Sequence, residues 1–391
     1  MIRFKLLTVL YIFSIGFCQS QETFPFVHIQ KENYFDAYKN LSSSVDIYKG
    51  HEYENSFWQA YGSLSAFLGQ YNKVERCYYI RDSIANQLPK TQRSIDVTES
   101  AISQLGLNEV YQEYDVVFFN ESHHKSEHRA FLYNQLPHLL EAGYRFLAVE
   151  ALNNHEWLDS NLVERGYPLY KKTGIYINDP VFAHAIRRAI KMGFTLIPYE
   201  SDTFGAERAS NQAQNIANGY SPEHGKLVVF SGIENNCKNS KYRKMGYFLR
   251  EKLNLSSVNI SQIVPRVQIV ANQCKDFYLV ESKNECQDYI IIQNQLKDTL
   301  NIPGWYRLMN FSYKSVSDFL SDPFDIPTLI QLFYLNEEDG VPVYQYLLED
   351  NSLDNVLLAF PERGEYRLVI INDFGEEVSI VNIDNHNFIF S

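Results

Sequence analysis

Glu121, Glu150, Glu200 and Glu234 each close an apolar run: VVFFNE, FLAVE, LIPYE and VVFSGIE. Short apolar runs bounded by turn signals read as strands buried in a parallel sheet, and such sheets bind ligands beyond the carboxyl ends of their strands. The pattern therefore gathers four carboxylates at one edge, with His123 and His124 beside the first. Crowded carboxylates raise one another's pKa unless a cation balances them. Lys125, Arg129 and Arg208 are the cations near these runs in the sequence. A divalent ion such as Mn²⁺ or Zn²⁺ is the other solution, and the residue types leave both open. A histidine held by a carboxylate can take a proton from water near neutral pH, so hydrolysis is chemistry that this set suits.

The elements that must position these residues follow from the texture around them. From about residue 98 strands and helices alternate, with strand-length runs at Val116–Phe119, Tyr144–Val149, Phe194–Tyr199, Leu227–Phe230 and Val258–Val264. Asn178 and Asp179 can cap a helix that Pro180 opens; its face is Phe182, Ile186, Ala189 and Ile190, and Gly193 ends it. Ser126 can cap another, with Phe131, Leu136, Leu139 and Leu140 on one face and Gly143 at its end. Strand–helix–strand at this spacing predicts an α/β fold with a mostly parallel sheet flanked by helices. Residues 21–97 read as helical, with one tetratricopeptide-like hairpin at Phe57–Tyr79. A lone copy points to a hairpin packed on the rest of the chain, because stacked repeats need about three copies to be stable. The α/β region is expected to run over 98–350. Val356–Phe360, Tyr366–Ile371 and Val378–Ile383 then read as a small C-terminal β-meander over 351–391.

Residues 1–20 have the layout of an export signal: Arg3 and Lys5, then Leu6–Phe17, too short to span a bilayer, then a cleavage site after Ser20. The expected product is an exported periplasmic or secreted protein with no transmembrane segment. Export permits disulfides, and Cys274 with Cys286 is the favoured pair on sequence proximity. A formal net charge of −12 without a basic cluster excludes nucleic acid as a natural partner. A small-molecule substrate is expected instead. The 28 Tyr and 26 Phe point to ring packing in the core and to no particular ligand.

FFNESHHKSEHRAFLYNQLPHLLEAGYRFLAVEAL (Phe118–Leu152) resembles the opening motif of the erythromycin-esterase/ChaN-like superfamily: a strand, Gly-Glu-x-x-His, a helix, and a second strand ending in Glu. RASNQAQNI (Arg208–Ile216), KLVVFSGIENN (Lys226–Asn236) and MGYFLREKL (Met245–Leu253) follow in the order of that family's later motifs. The resemblance implies an esterase-like hydrolase in which His124 activates water. Glu121 and Glu150 would orient it, and Arg208 would neutralise an oxyanion or a substrate carboxylate. His123, Glu200, Glu234, Asn235 and Arg129 are expected to bind around them. The chain departs from the pattern at Asn120, where the family has Gly, and at Asn235, where it has a second His. Asparagine can neither act as a base nor supply a charged ligand. That weakens a two-histidine metal site and keeps a second reading in view: a non-catalytic binder of haem or a divalent metal. Either no cofactor is required or a divalent ion assists. His128, His138, His155, His184 and His224 are read as structural or exposed, with His128 and Arg129 behind the first shell of the crevice.

Overall fold

A computed structural model describes residues 24–85, 95–97, 103, 106–233, 235–262, 267–269, 277–293, 298–320, 326–349 and 356–386. The expected export signal, Glu234 and Cys274 lie outside the described residues. No described helix is long and apolar enough to cross a membrane.

The centre is a seven-stranded sheet: β1 (Val116–Glu121), β2 (Tyr144–Val149), β3 (Thr195–Pro198), β4 (Lys226–Gly232), β5 (Ser257–Ser261), β6 (Phe277–Glu281) and β7 (Tyr289–Gln293), in the order β3-β2-β4-β1-β5-β7-β6. All neighbours are parallel except β6 and β7, which form an antiparallel edge. The five strands expected from the sequence are all present: Tyr144–Val149 matches at both ends, and elsewhere the ends differ by no more than three residues. Their side chains divide by parity, because successive residues of a strand face opposite ways. Val117, Phe119, Leu147, Val149, Val228 and Phe230 pack on one side, and Val116, Phe118, Phe146, Ala148, Leu227 and Val229 on the other.

Each side is covered by two long helices, with the short helix Leu107–Glu113 adding Val110 and Tyr111 to the first. α3 (Ser126–Glu141) and α4 (Pro180–Lys191) bury Phe131, Leu136, Phe182 and Ile186 on the first. α5 (Gly205–Gly219) and α6 (Met245–Leu253) bury Ala213, Ile216, Met245 and Leu249 on the second. The chain moves outward from β1 to β2 and β3 along one face. It then returns to insert β4 beside β1 and passes on to β5 along the other face. Connections therefore leave β1 and β4 in opposite directions. A crevice opens between the carboxyl ends of just such a pair. Asp179 caps α4 as its sequence suggests, accepting from the Val181 amide at 2.9 Å. Ser126 does not cap α3; it is the helix's first residue, and its hydroxyl donates to Asp179 at 2.7 Å instead.

The C-terminal part is larger than a meander. β8 (Thr328–Tyr334), β9 (Tyr344–Leu348), β10 (Glu365–Ile371) and β11 (Glu377–Asp384) form one antiparallel sheet, in the order β9-β8-β10-β11. Half of it thus lies before residue 350. Leu357–Phe360 leaves the expected meander and pairs with Ser312–Ser315. One face, with Ile330, Leu332, Leu368 and Ile370, packs toward Ala130 and Val181 on α3 and α4. The other carries Leu329 and Leu347 and is covered by the N-terminal helices. Among those, α1 (Glu54–Phe67) and α2 (Tyr71–Ile84) make the expected hairpin, which turns at Gly69 with φ +72° against Gln345 and Tyr346 of β9. That left-handed backbone and close approach are what a glycine permits. The hairpin is fixed by Gln345, whose amide donates to the Phe67 carbonyl at 2.8 Å, and by an ion pair of Lys73 and Glu349 at 2.7 Å.

The described disulfide joins Cys237 to Cys286, so Cys286 does not take the sequence-nearest partner. The parallel sheet brings the segment after β4 beside the turn between β6 and β7, and spatial neighbourhood overrides sequence distance. Cys77 is buried as a free thiol.

Candidate active site

Glu121 and Gly232 are register partners at the carboxyl ends of β1 and β4, the position of the crevice. The parity of β1 sends Glu121 to the α3–α4 side, where it is fully buried. Burying a carboxylate is costly unless it is paired and hydrogen-bonded. Arg129, also fully buried on the first turns of α3, provides this: its Nε donates to Glu121 Oε2 at 2.7 Å and its Nη2 to Oε1 at 3.3 Å. Nη1 reaches Asp179 Oδ2 at 2.5 Å, and Nη2 also donates to the His123 carbonyl at 2.7 Å. Burial pulls the Glu121 carboxyl up, but the Arg129 charge and the His123 hydrogen bond outweigh it and bring it down to about 2. Glu121 is therefore an ionised anchor tied to α4 through Arg129.

The histidine it holds is His123. Nδ1 of His123 lies 2.8 Å from Glu121 Oε1, and the ring stacks on Tyr176 with centroids 4.1 Å apart. Its Nε2 points across the edge: a Cβ built on Gly232 would meet that atom at 2.9 Å and Glu150 Oε2 at 3.2 Å. The ring is a quarter exposed. His124, the expected base, turns the other way. It stacks on Tyr78 of α2 with centroids 3.4 Å apart and makes no hydrogen bond among the described residues. Burial, then Lys125 and other nearby cations, hold its pKa well below the usual histidine range. The physical reason is the tight turn that follows β1: the Lys125 amide donates to the Ser122 carbonyl at 2.8 Å, and the two histidines at its centre diverge.

His128 is buried under the turn that carries both rings. Its Nδ1 accepts from the Ser122 amide at 3.0 Å, and burial lowers its pKa to about 3, so it acts as a neutral strut. His184 is buried between Phe311 and Tyr334, while His138, His155 and His224 are exposed, all away from Glu121.

Glu150 and Glu200 meet on the α5 side of the edge. Arg208 Nη2 lies 2.9 Å from Glu150 Oε1, its Nε donates to Glu200 Oε1 at 2.9 Å, and Nη2 also bonds Glu200 Oε2. Asn235 Nδ2 donates to Glu150 Oε1 at 2.6 Å, and Gln212 Nε2 donates to Glu200 Oε1 at 3.0 Å. Gln212 was not expected, although it stands four residues after Arg208 on the same helix face, a legible spacing. Asp179 and Tyr176 were also missed as site residues; the sequence marks Asp179 only as a cap and does not single out Tyr176. Arg208 is thus saturated on one side by two carboxylates. Its Nη1 carries no hydrogen bond among the described residues, and a third of the side chain is exposed. The expected residues therefore form two linked groups. Glu121, His123 and Arg129 make one; Glu150, Glu200, Arg208 and Asn235 make the other, and the two meet at Gly232.

The donor set does not fit a metal ion. Among the described residues no three His, Cys, Asp or Glu side chains converge as ligands. The lone pairs of Glu121, Glu150 and Glu200 are already taken by Arg129, Arg208, Asn235 and Gln212. Nor does the cavity of about 310 Å³ at this edge offer a histidine to haem iron among the described residues.

No family model and no curated protein matches this chain. Among solved structures it is similar to that of the type III effector HopBA1, at 10% identity and a TM-score of 0.31, over 50% of this chain and 100% of that one. A score that low carries no argument about function.

Proposed function

We propose that the protein is a metal-independent hydrolase of a carboxylic ester or related acyl bond, with His123 as general base. The observation that carries this reading is the Glu121–His123 hydrogen bond, with Nε2 turned to the open edge. Nδ1–H donates to the Glu121 carboxylate, which leaves Nε2 as the acceptor. Nε2 takes a proton from water as the water oxygen bonds to the acyl carbon. The resulting imidazolium is stabilised by Glu121, and it returns the proton to the leaving oxygen as the acyl–oxygen bond breaks. Arg208 Nη1, which makes no hydrogen bond among the described residues, would receive the oxyanion. Two carboxylates against one guanidinium leave that half of the site formally negative. Neutral or cationic substrates suit it better than the anionic one the sequence allowed.

The reading is tested by hydrolysis of an ester panel with and without chelator. His123→Ala is expected to lower the initial rate by about 10²–10⁴-fold, the usual contribution of a general base. His124→Ala should leave the rate within a few-fold and chelator should leave it unchanged. Loss of activity in His124→Ala alone would overturn the assignment. The alternative, a non-catalytic binder of haem or a divalent metal, would replace it if the wild type hydrolysed nothing and took up either one.

We also propose export, which the Cys237–Cys286 disulfide supports, because such bonds persist in oxidising compartments. Intact mass of the exported protein should show an N-terminus at Gln21; retention of Met1 would refute it.

A further inference from the structure

The cavity of about 310 Å³ lies on the other side of the sheet edge from Glu121. Asn120, one residue before Glu121 and so of opposite parity, lines it together with Asn236, Asn259, Ser261 and Tyr242, and the Cys237–Cys286 disulfide forms one wall. None of these residues takes part in the hydrolytic arrangement.

Two buried carboxamides decide what the cavity can hold. Asn259 uses its Nδ2 on two carbonyls, those of Asn236 and Cys286, which fixes its orientation and leaves Oδ1 as an acceptor without a partner among the described residues. Asn236 uses its Oδ1 on the Ser231 hydroxyl at 2.6 Å, which leaves Nδ2 as a donor without one. Both side chains are more than nine-tenths buried. Both residues line the cavity and neither atom is fully enclosed, so a donor and an acceptor without protein partners among the described residues are open to a ligand there. At the mouth stand Tyr242, 44% exposed, and Ile233, 47% exposed. They offer apolar surface to a ligand's body while the amides take its polar groups.

We propose that this cavity binds a neutral, hydroxyl-rich small molecule of monosaccharide size. A hydroxyl both donates and accepts, so two neighbouring ones complement Asn236 Nδ2 and Asn259 Oδ1 together. The volume falls at the lower end of the range for small-ligand sites. Apart from Lys244 the lining is uncharged, and a chain of net charge −12 repels anions at long range. The site does not depend on the hydrolase reading.

Saturation-transfer NMR and calorimetric titration with glucose, galactose, mannose and their methyl glycosides test this, with glucuronate and glucosamine as charged comparators. The wild-type protein should bind at least one neutral sugar saturably. Asn236→Asp, which keeps the oxygen that Ser231 bonds but puts a charged acceptor in place of the free donor, should weaken binding by at least tenfold, because it costs more than the loss of one hydrogen bond. Ile233→Trp, at an exposed position, should block the mouth; melting curves and circular dichroism would confirm that both variants remain folded. Glu121→Gln should lose hydrolysis and keep sugar binding, which separates this proposal from the preceding one. The proposal is overturned if no neutral sugar binds, if glucuronate or glucosamine binds in preference, or if both variants bind like the wild type.

Discussion

Two buried side chains that both resist taking up a proton stand at the end of β1 and on the first turn of α3. Glu121 sits at about 2 against an ordinary 4.5, and His128 at about 3 against 6.5. A lowered carboxyl contributes stability that is complete above its unfolded value and disappears as pH falls through the folded one. The Glu121 contribution is thus lost between about pH 4.5 and 2. A buried neutral histidine acts in the same direction but earlier, because the unfolded chain takes up the proton first as pH falls below about 6.5. Acid unfolding should therefore begin near pH 6 and steepen below 4.5. His128→Gln, which keeps an acceptor for the Ser122 amide, should reduce the first stage, to which the buried His124 and His184 also contribute, and leave the second. Melting temperatures of both proteins from pH 7 to 3 check this. A wild-type curve level down to pH 4.5 would contradict it.

At the scale of elements, the meeting of β1 and β4 determines which histidine faces the site. Gly232 gives the His123 ring its room, since a methyl group there would meet Nε2 at 2.9 Å. Gly232→Ala should push the ring off the edge. Hydrolysis should fall by at least tenfold, while the melting temperature drops by no more than a few degrees, because the strand keeps its ladder. Equal activity in Gly232→Ala and wild type would show that the ring position is immaterial.

The central strands and their terminal glutamates were legible in the sequence because apolar runs of that length have few other homes. The choice of His123 over His124 was not legible, because both rings sit in the turn after β1 and the spacing of the resembled motif pointed to the other one. The antiparallel sheet was half missed. β8 and β9 are buried on both faces, by α3 and α4 on one side and the N-terminal helices on the other, and so lack the alternation that marks a one-sided strand. The Cys237–Cys286 pair depends on which strands adjoin, and sequence proximity does not carry that.

The whole molecule is layered, and its outermost layer is made by the earliest described part of the chain. Leu41, Phe57, Leu64 and Phe67 have as their core partners Leu329 and Leu347, more than 250 residues away. A ribosome makes these helices first and their platform near the end. For most of synthesis the aromatic-rich segment has nothing to rest on, and contacts of such sequence separation are slow to close. Nascent chains halted before residue 326 should leave residues 24–85 open to protease, while chains reaching residue 386 should protect them together with the β8–β10 core. Pulse proteolysis of ribosome-bound intermediates would show this, and early protection of 24–85 would show that the hairpin folds unaided. The same order gives the site a timetable. Tyr78, which takes up His124 and leaves His123 alone at the crevice, belongs to that hairpin. Competence to react would then arrive with completion of the chain, so an unfinished molecule carries its histidines without a settled division of labour between them.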